Sequence, residues 1–174
     1  MRRVSLNARR AADAPLSSEA EVALFAIEHP SLDAPIRLST DPTERISVEP
    51  LVYGTRSPWA GANVVADPYL FVLASAELPS DLEDAPAAGT IVLENVDNRI
   101  SQLLRGFTDR PRVHMAVVLA SSVHVPEVQY RDLHMMSSNG DFGEVRIQMS
   151  RQPIEDETVP MDRFTKFRFP GLFA

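Results

Sequence analysis

Apolar residues come in short bursts, each closed by proline or by a knot of turn formers. VALFAIEHP (22–30) carries apolar side chains on both parities, so it reads as a buried strand or a helix turn, and Pro30 ends it either way. Its length and the strand-like PIRLST (35–40) behind it favour a strand. RISVEPLVYG (45–54) alternates in part, and RSPWAGANVVADP (56–68) is a loop that holds the single Trp, Trp59. DPYLFVLASAELP (67–79) starts as a continuous apolar run and then alternates through Leu70, Val72, Ala74, Ala76 and Leu78.

The second half repeats the theme. TIVLENV (90–96) is a strand, and RVHMAVVLAS (112–121) puts Val113, Met115, Val117 and Leu119 on one face. EVQYRDLHMM (127–136) and EVRIQMS (144–150) alternate likewise, with Asn-Gly in SSNGDFG (137–143) between them as a hairpin signal. These three read as an antiparallel meander. One segment has helical spacing: Ile100, Leu103, Leu104 and Phe107 fall on one face, Asn95 and Asp97 can cap it, and Gly106 closes it. The pattern predicts a mainly β protein, with antiparallel strands in one or two barrel-like lobes and a single short capped helix at 98–106. Residues 1–20 read as a flexible arm, 21–79 as a first β lobe, the acidic Pro/Ala stretch 80–89 as a linker, and 90–174 as a second β lobe ending in an aromatic tail.

Composition narrows the function more than it defines it. A chain of 174 residues can bury a core without staples, and with no Cys it has no disulfide, thiolate metal site or Cys nucleophile. A net charge of −7 argues against a specific nucleic-acid surface. No apolar run approaches the ~18 residues of a membrane span. The start MRRVSLNARRAADAPLSSEAE has four Arg but no apolar core of a secretory signal. Arg supplies all basic residues but Lys166, a bias that suits interfaces but follows more simply from a GC-rich genome.

Candidate chemistry is sparse. His114, His124 and His134 recur every ten residues with Asp132 nearby, which could assemble two imidazoles and a carboxylate around a metal. No H-x-H or H-x-x-x-H pair supports it, and solvated or interfacial imidazoles explain the spacing more simply. No G-x-S-x-G elbow is present, Ser121-Ser122 beside His124 reads as a polar turn, and Glu83-Asp84 falls in the linker. GANVVADP lacks the lysine of a phosphate loop, and NGDFGE lacks the further ligands of a calcium loop. The expectation is a protein without catalytic, metal or cofactor site.

Two stretches carry a family resemblance. One is L-x-N-V-D-x-x-I-x-x-L-L-R, at Leu93, Asn95, Val96, Asp97, Ile100, Leu103, Leu104 and Arg105; the other is the closing R-F-P-G-L-F, Arg168 to Phe173. With HPSLDAPIRLSTD and VHMAVVLASS in order between Val22 and Phe173, the chain resembles the DUF1833 family of tailed-phage proteins. The strand-then-N-V-D corner is also similar to the minor tail proteins that form the tail-tip hub of lambda-like siphophages. The resemblance implies a structural virion protein at the tail tip, assembled in the bacterial host cytoplasm. It would be a baseplate-hub component joining the tail tube to the central tip or fibre protein. Its implied partners are the distal tail or tube protein, the central hub or fibre protein, the tape measure, and copies of itself in a ring, most simply a trimer. No membrane partner is implied. The lambda-like family carries a Cys-rich domain with an iron–sulfur cluster, which a chain without Cys cannot hold. The loop SPWAGANVVADP is also longer than the resemblance leads one to expect.

On that reading Asn95, Asp97 and Arg105 fix the strand–corner–helix unit, the first two by side-chain-to-backbone hydrogen bonds. Phe164, Phe167, Phe169, Leu172 and Phe173 form an apolar tail that docks on the parent barrel or on a neighbour. The alternatives are a tail-assembly factor absent from the finished particle and a cell-wall hydrolase.

Overall fold

A computed structural model describes residues 4–77, 88–94, 106, 107, 109–140, 144–151, 168 and 171. Among them one α-helix, α1 (Leu6–Asp13), precedes ten strands. These are β1 (Glu21–Glu28), β2 (Ile36–Ser39), β3 (Glu44–Ser47), β4 (Val52–Thr55), β5 (Tyr69–Phe71), β6 (Leu73–Glu77), β7 (Ala88–Glu94), β8 (Arg112–Leu119), β9 (Ser122–Gly140) and β10 (Glu144–Ser150), with a 3₁₀ turn at Trp59–Gly61. The protein is mainly β, as the alternation predicts. All ten strands share one sheet in the order β3-β4-β5-β2-β1-β8-β9-β10-β7-β6, and every pairing but the parallel β2–β5 is antiparallel.

That order conceals a closure. β6 stands at one end of the sheet, while β5 lies inside it between β4 and β2. Only Val72 separates β5 from β6, and the Val72 amide donates to the Ser39 carbonyl at the end of β2, at 2.8 Å. Adjacent Cα atoms are about 3.8 Å apart, so the sheet must curl until its terminal strand meets its interior. The result is a barrel of seven staves: β2, β1, β8, β9, β10, β7 and the continuous β5–β6 segment. The β3–β4 hairpin hangs from β5 outside this ring.

Every stave sends side chains inward. Phe25, Leu38, Val72, Ile91, Met115, Leu133 and Ile147, one from each, are all at most 5 % exposed and belong to one cluster. At roughly 1.5–3 kcal/mol per fully buried large apolar side chain, this interior is the main source of stability. It is filled by side chains, as expected for a small barrel. Strands from 21–79 form one contiguous arc of the barrel and strands from 88–150 the other, and the β1–β8 and β6–β7 pairings join the two arcs into one sheet. β7 also begins at Ala88, inside the stretch read as linker; residues 80–87 lie outside the described residues.

The outer surface is uneven. On β1, Val22, Leu24 and Ala26 point outward, yet are buried with Trp59, Ala62, Tyr69, Ala116 and Val118 in a second cluster. The 56–68 loop folds over this wall. Ser57 Oγ donates to the Val123 carbonyl at 2.6 Å, and Tyr69 Oη donates to the Trp59 carbonyl at 2.6 Å. This explains why β1 reads as apolar on both parities: it is covered on both faces.

Several boundaries differ from the sequence reading. RISVEPLVYG, which alternates only in part, is a hairpin: β3 and β4 flank a turn at 48–51, and Pro50 within it cannot continue a ladder. β9 is 19 residues long and runs through Pro126, whose missing amide falls where the pairing with β8 shifts register. Asn139 and Gly140 pair with Arg146 and Val145 in the β9–β10 ladder, and residues 141–143 lie outside the described residues. Gly140 is needed for close approach: a Cβ there would lie 2.0 Å from the Glu144 carbonyl oxygen. The N-terminal arm holds a helix, capped by the Ser5 hydroxyl accepting from the Ala8 amide at 3.1 Å. The expected helix at 98–106 lies outside the described residues except for Gly106. Phe107, placed on that helix's apolar face by spacing, packs against the barrel interior.

Candidate functional site

A cleft of about 680 Å³ opens at one end of the barrel, where β1 turns into β2. Its lining comes from four places. Glu28 ends β1; His29 to Pro35 form the Pro-rich turn that stops the strand; Asp109, Arg110 and Arg112 lead into β8; and His134 comes from β9, opposite Arg112. Carboxylates, guanidinium groups and imidazoles therefore face one space. Pro30 has no amide to donate, so the β1 ladder stops there and the chain leaves the sheet to form the turn.

His29, which lines the cleft, and His114, which faces the lining residue Glu28, already have partners. His29 Nδ1 accepts the Ser31 amide at 3.1 Å and contacts Ser31 Oγ at 2.5 Å, and its ring lies 4.6 Å from that of Phe107. Its Nε2 is buried without a hydrogen-bond partner. Behind Glu28, the buried His114 places Nε2 3.7 Å from Glu28 Oε2. His114 Nδ1 accepts the Asp132 amide at 3.1 Å. Asp132 adopts φ +56, and the register slips there between Val113 and Met115, so Arg131 and Asp132 bulge opposite His114. A ring nitrogen that accepts an amide is not free to take a proton from a ligand, so both imidazoles act first as supports for local backbone. The mixed charges fit recognition of a polar group better than acid–base turnover.

Farther along the outer wall, burial dominates Tyr69 and pushes its phenol up to about 12, against the pull of Arg37 and Arg131. At the β8–β9 turn the exposed Glu19 is held below the usual carboxylate range, chiefly by the Ser121 amide, which donates to it at 3.0 Å.

The histidines singled out by spacing are placed separately. His114 is buried in β8, His134 lines the cleft, and His124 is exposed near the start of β9. Among the described residues no three His, Asp or Glu side chains form a metal-binding group, and no helix is long and apolar enough to cross a membrane. The resemblance-derived residues Asn95, Asp97, Arg105, Phe164, Phe167, Phe169, Leu172 and Phe173 lie outside the described residues; Arg168 and Gly171 of the closing motif are exposed. Sequence reasoning missed the cleft. Its one signal was the polar HPSLDAP turn, whose partners at 109–112 and 134 are brought near only by strand pairing. Comparison with protein-family models and with curated proteins found no match.

Proposed function

We propose that this chain is a non-enzymatic structural component of the tail tip of a long-tailed bacteriophage or a related prophage-derived particle, a baseplate-hub protein joining the tail tube to the central tip or fibre protein. The observation that carries the reading is the barrel with a filled interior. Among the described residues the interior is packed with apolar side chains, which supports a role carried by the outer surface. The N-V-D corner motif and the closing R-F-P-G-L-F support the same reading at the level of sequence. The mechanism is assembly: rigid barrels present loops, hairpins and termini to neighbouring chains. A transient assembly factor is the nearest competing role. Particles purified from the phage or induced prophage that encodes the chain decide between them. Mass spectrometry should find the chain in few copies, and labelled antibody should decorate the tail tip. Its absence from finished particles defeats the structural reading.

The cleft gives a second reading, a cell-wall hydrolase, its one specific observation: the carboxylates of Glu28, Asp33 and Asp109 line one space. Peptidoglycan zymography with purified protein and an Asp33→Asn, Asp109→Asn control tests it. Clearing that the control abolishes would establish it, and no clearing removes it.

A further inference from the structure

α1 is a helix that is only lightly held. It has eight residues and none of them is buried. Isolated helices of that length are marginal in water and gain most of their stability from a packed face. Its Ala8 and Ala11 are half-buried, but Leu6 is 69 % exposed, and Arg9 and Arg10 share its outer side. The connection to β1 is exposed as well, with Leu16 at 94 %. The arm is pinned by the Ser5 amide, which donates to Glu127 Oε2 at 2.8 Å, beyond which the helix stands free.

A second feature of the same kind lies elsewhere. The β3–β4 hairpin stands outside the closed barrel, and its tip carries Val48 at 66 % and Leu51 at 60 % exposure around Glu49. β3 is the terminal strand of the sheet. Within one molecule the two patches do not cover one another, since both remain open. Their chemistry is complementary: an apolar residue beside cations on the arm, and apolar residues beside a carboxylate on the hairpin. The charge division of the whole chain points the same way. The first thirteen residues hold four Arg and one Asp, net +3; the chain totals −7, which leaves −10 for the rest.

We infer that the N-terminal arm of one copy docks on the β3–β4 hairpin tip of a second copy, with Leu6 between Val48 and Leu51 and Arg9 or Arg10 against Glu49. Arg45, exposed farther down β3, sets the side from which the arm approaches, because its charge repels the arm. The contact is head-to-tail, so it generates a ring where the rotation closes. It is small, which makes each contact weak and concentration-dependent rather than obligate. It deepens the proposed assembly role by naming the surfaces through which copies meet. It can also fail alone: a chain that stays monomeric but occurs in particles would overturn the arm–hairpin contact and leave the tail-tip role standing.

Sedimentation velocity on the full chain, from low to high micromolar concentration, tests the contact. The expected result is a mass that rises with concentration and falls back with added salt. Arg9→Glu with Arg10→Glu, and separately Val48→Ser with Leu51→Ser, should each weaken association about tenfold or more. All four positions are exposed, so the melting curve of each variant should match the parent. Each variant keeps the surface the other lacks, so an equimolar mixture should form a 1:1 dimer and nothing larger. Glu49→Arg should restore association to the Arg9→Glu, Arg10→Glu chain. A parent monomeric at every concentration, or association that survives both variants, overturns the inference. So does a monomeric parent that co-sediments with phosphatidylserine vesicles, which would make the arm a lipid-surface element.

Discussion

The wall formed by β1 and β8 and the wall formed by β6, β7 and β10 enclose the same interior but differ in what lies outside. On β1 the outward Leu24 is as fully buried as the inward Phe25, because Trp59 and its loop cover it. On β10 the inward Val145, Ile147 and Met149 alternate with the exposed Arg146 and Gln148. One wall belongs to a three-layer packing of interior, sheet and loop; the other meets water directly. The lesson is that strand polarity records the covering layer, not the barrel. A barrel alone demands alternation, and a break in alternation marks where another segment lies on top.

Removing the cover should have the largest effect. Trp59→Ala exposes the outer side of β1 and β8 and is expected to cost about 3–5 kcal/mol, read by urea denaturation. Next, two substitutions at outward positions should part company. Leu24→Ala should cost about 2–5 kcal/mol, whereas Gln148→Ala should stay within about 0.5 kcal/mol. Equal losses at the two sites would erase the distinction between the walls. In a Trp59→Ala background the Leu24→Ala cost should shrink, with a coupling of about 0.5–3 kcal/mol from the double-mutant cycle.

The junction of hairpin and barrel comes third. A Cβ at Gly54 would lie 1.9 Å from the Tyr69 carbonyl oxygen, so Gly54→Ala must push β4 off β5. An overpacking loss of about 1–3 kcal/mol is expected, with amide exchange faster in β3 and β4 than in β8. Tyr69→Phe, under the same cover, removes the hydrogen bond to the Trp59 carbonyl and should cost about 1 kcal/mol. Burial raises the Tyr69 pKa above its ordinary 10 to about 12 in the folded state. The folded chain therefore holds this proton more tightly than the unfolded chain. The associated stability is complete below pH 10 and is lost as pH rises toward 12. Alkaline melts of the parent should fall across that window, and those of Tyr69→Phe should fall less. The smallest effect belongs to Glu19, whose lowered pKa adds stability above about pH 4.5 that fades as pH drops; Glu19→Gln should flatten the acid limb of the melting profile slightly.

The candidate cleft was less legible than the fold. Strand bursts at 22–28, 112–119 and 144–150 could be read directly from the sequence, because apolar parity is a local property. The cleft gathers Glu28, Asp33, Asp109 and His134, separated by more than a hundred positions at the extremes, and no local pattern links them. The histidine spacing drew attention to His114 and Asp132, yet their actual contact, an amide on a ring nitrogen, depends on a bulge in the neighbouring strand β9. The helix in the arm went unread because its stripe is Ala and Arg, too weakly apolar to stand out.

The sequence by itself determined that this chain is built of short strands, where most of them lie, and that the meander β8–β9–β10 pairs in order. Each of these follows from side-chain alternation and from turn residues within a few positions. Only the tertiary structure decided that β5 and β6 are one stave joining the ends of the sheet, that the 56–68 loop covers β1, and that the arm and the hairpin tip are left uncovered. Those outcomes depend on which surfaces are nearest once the sheet curls, and curling is set by twist summed over seven staves rather than by any one segment.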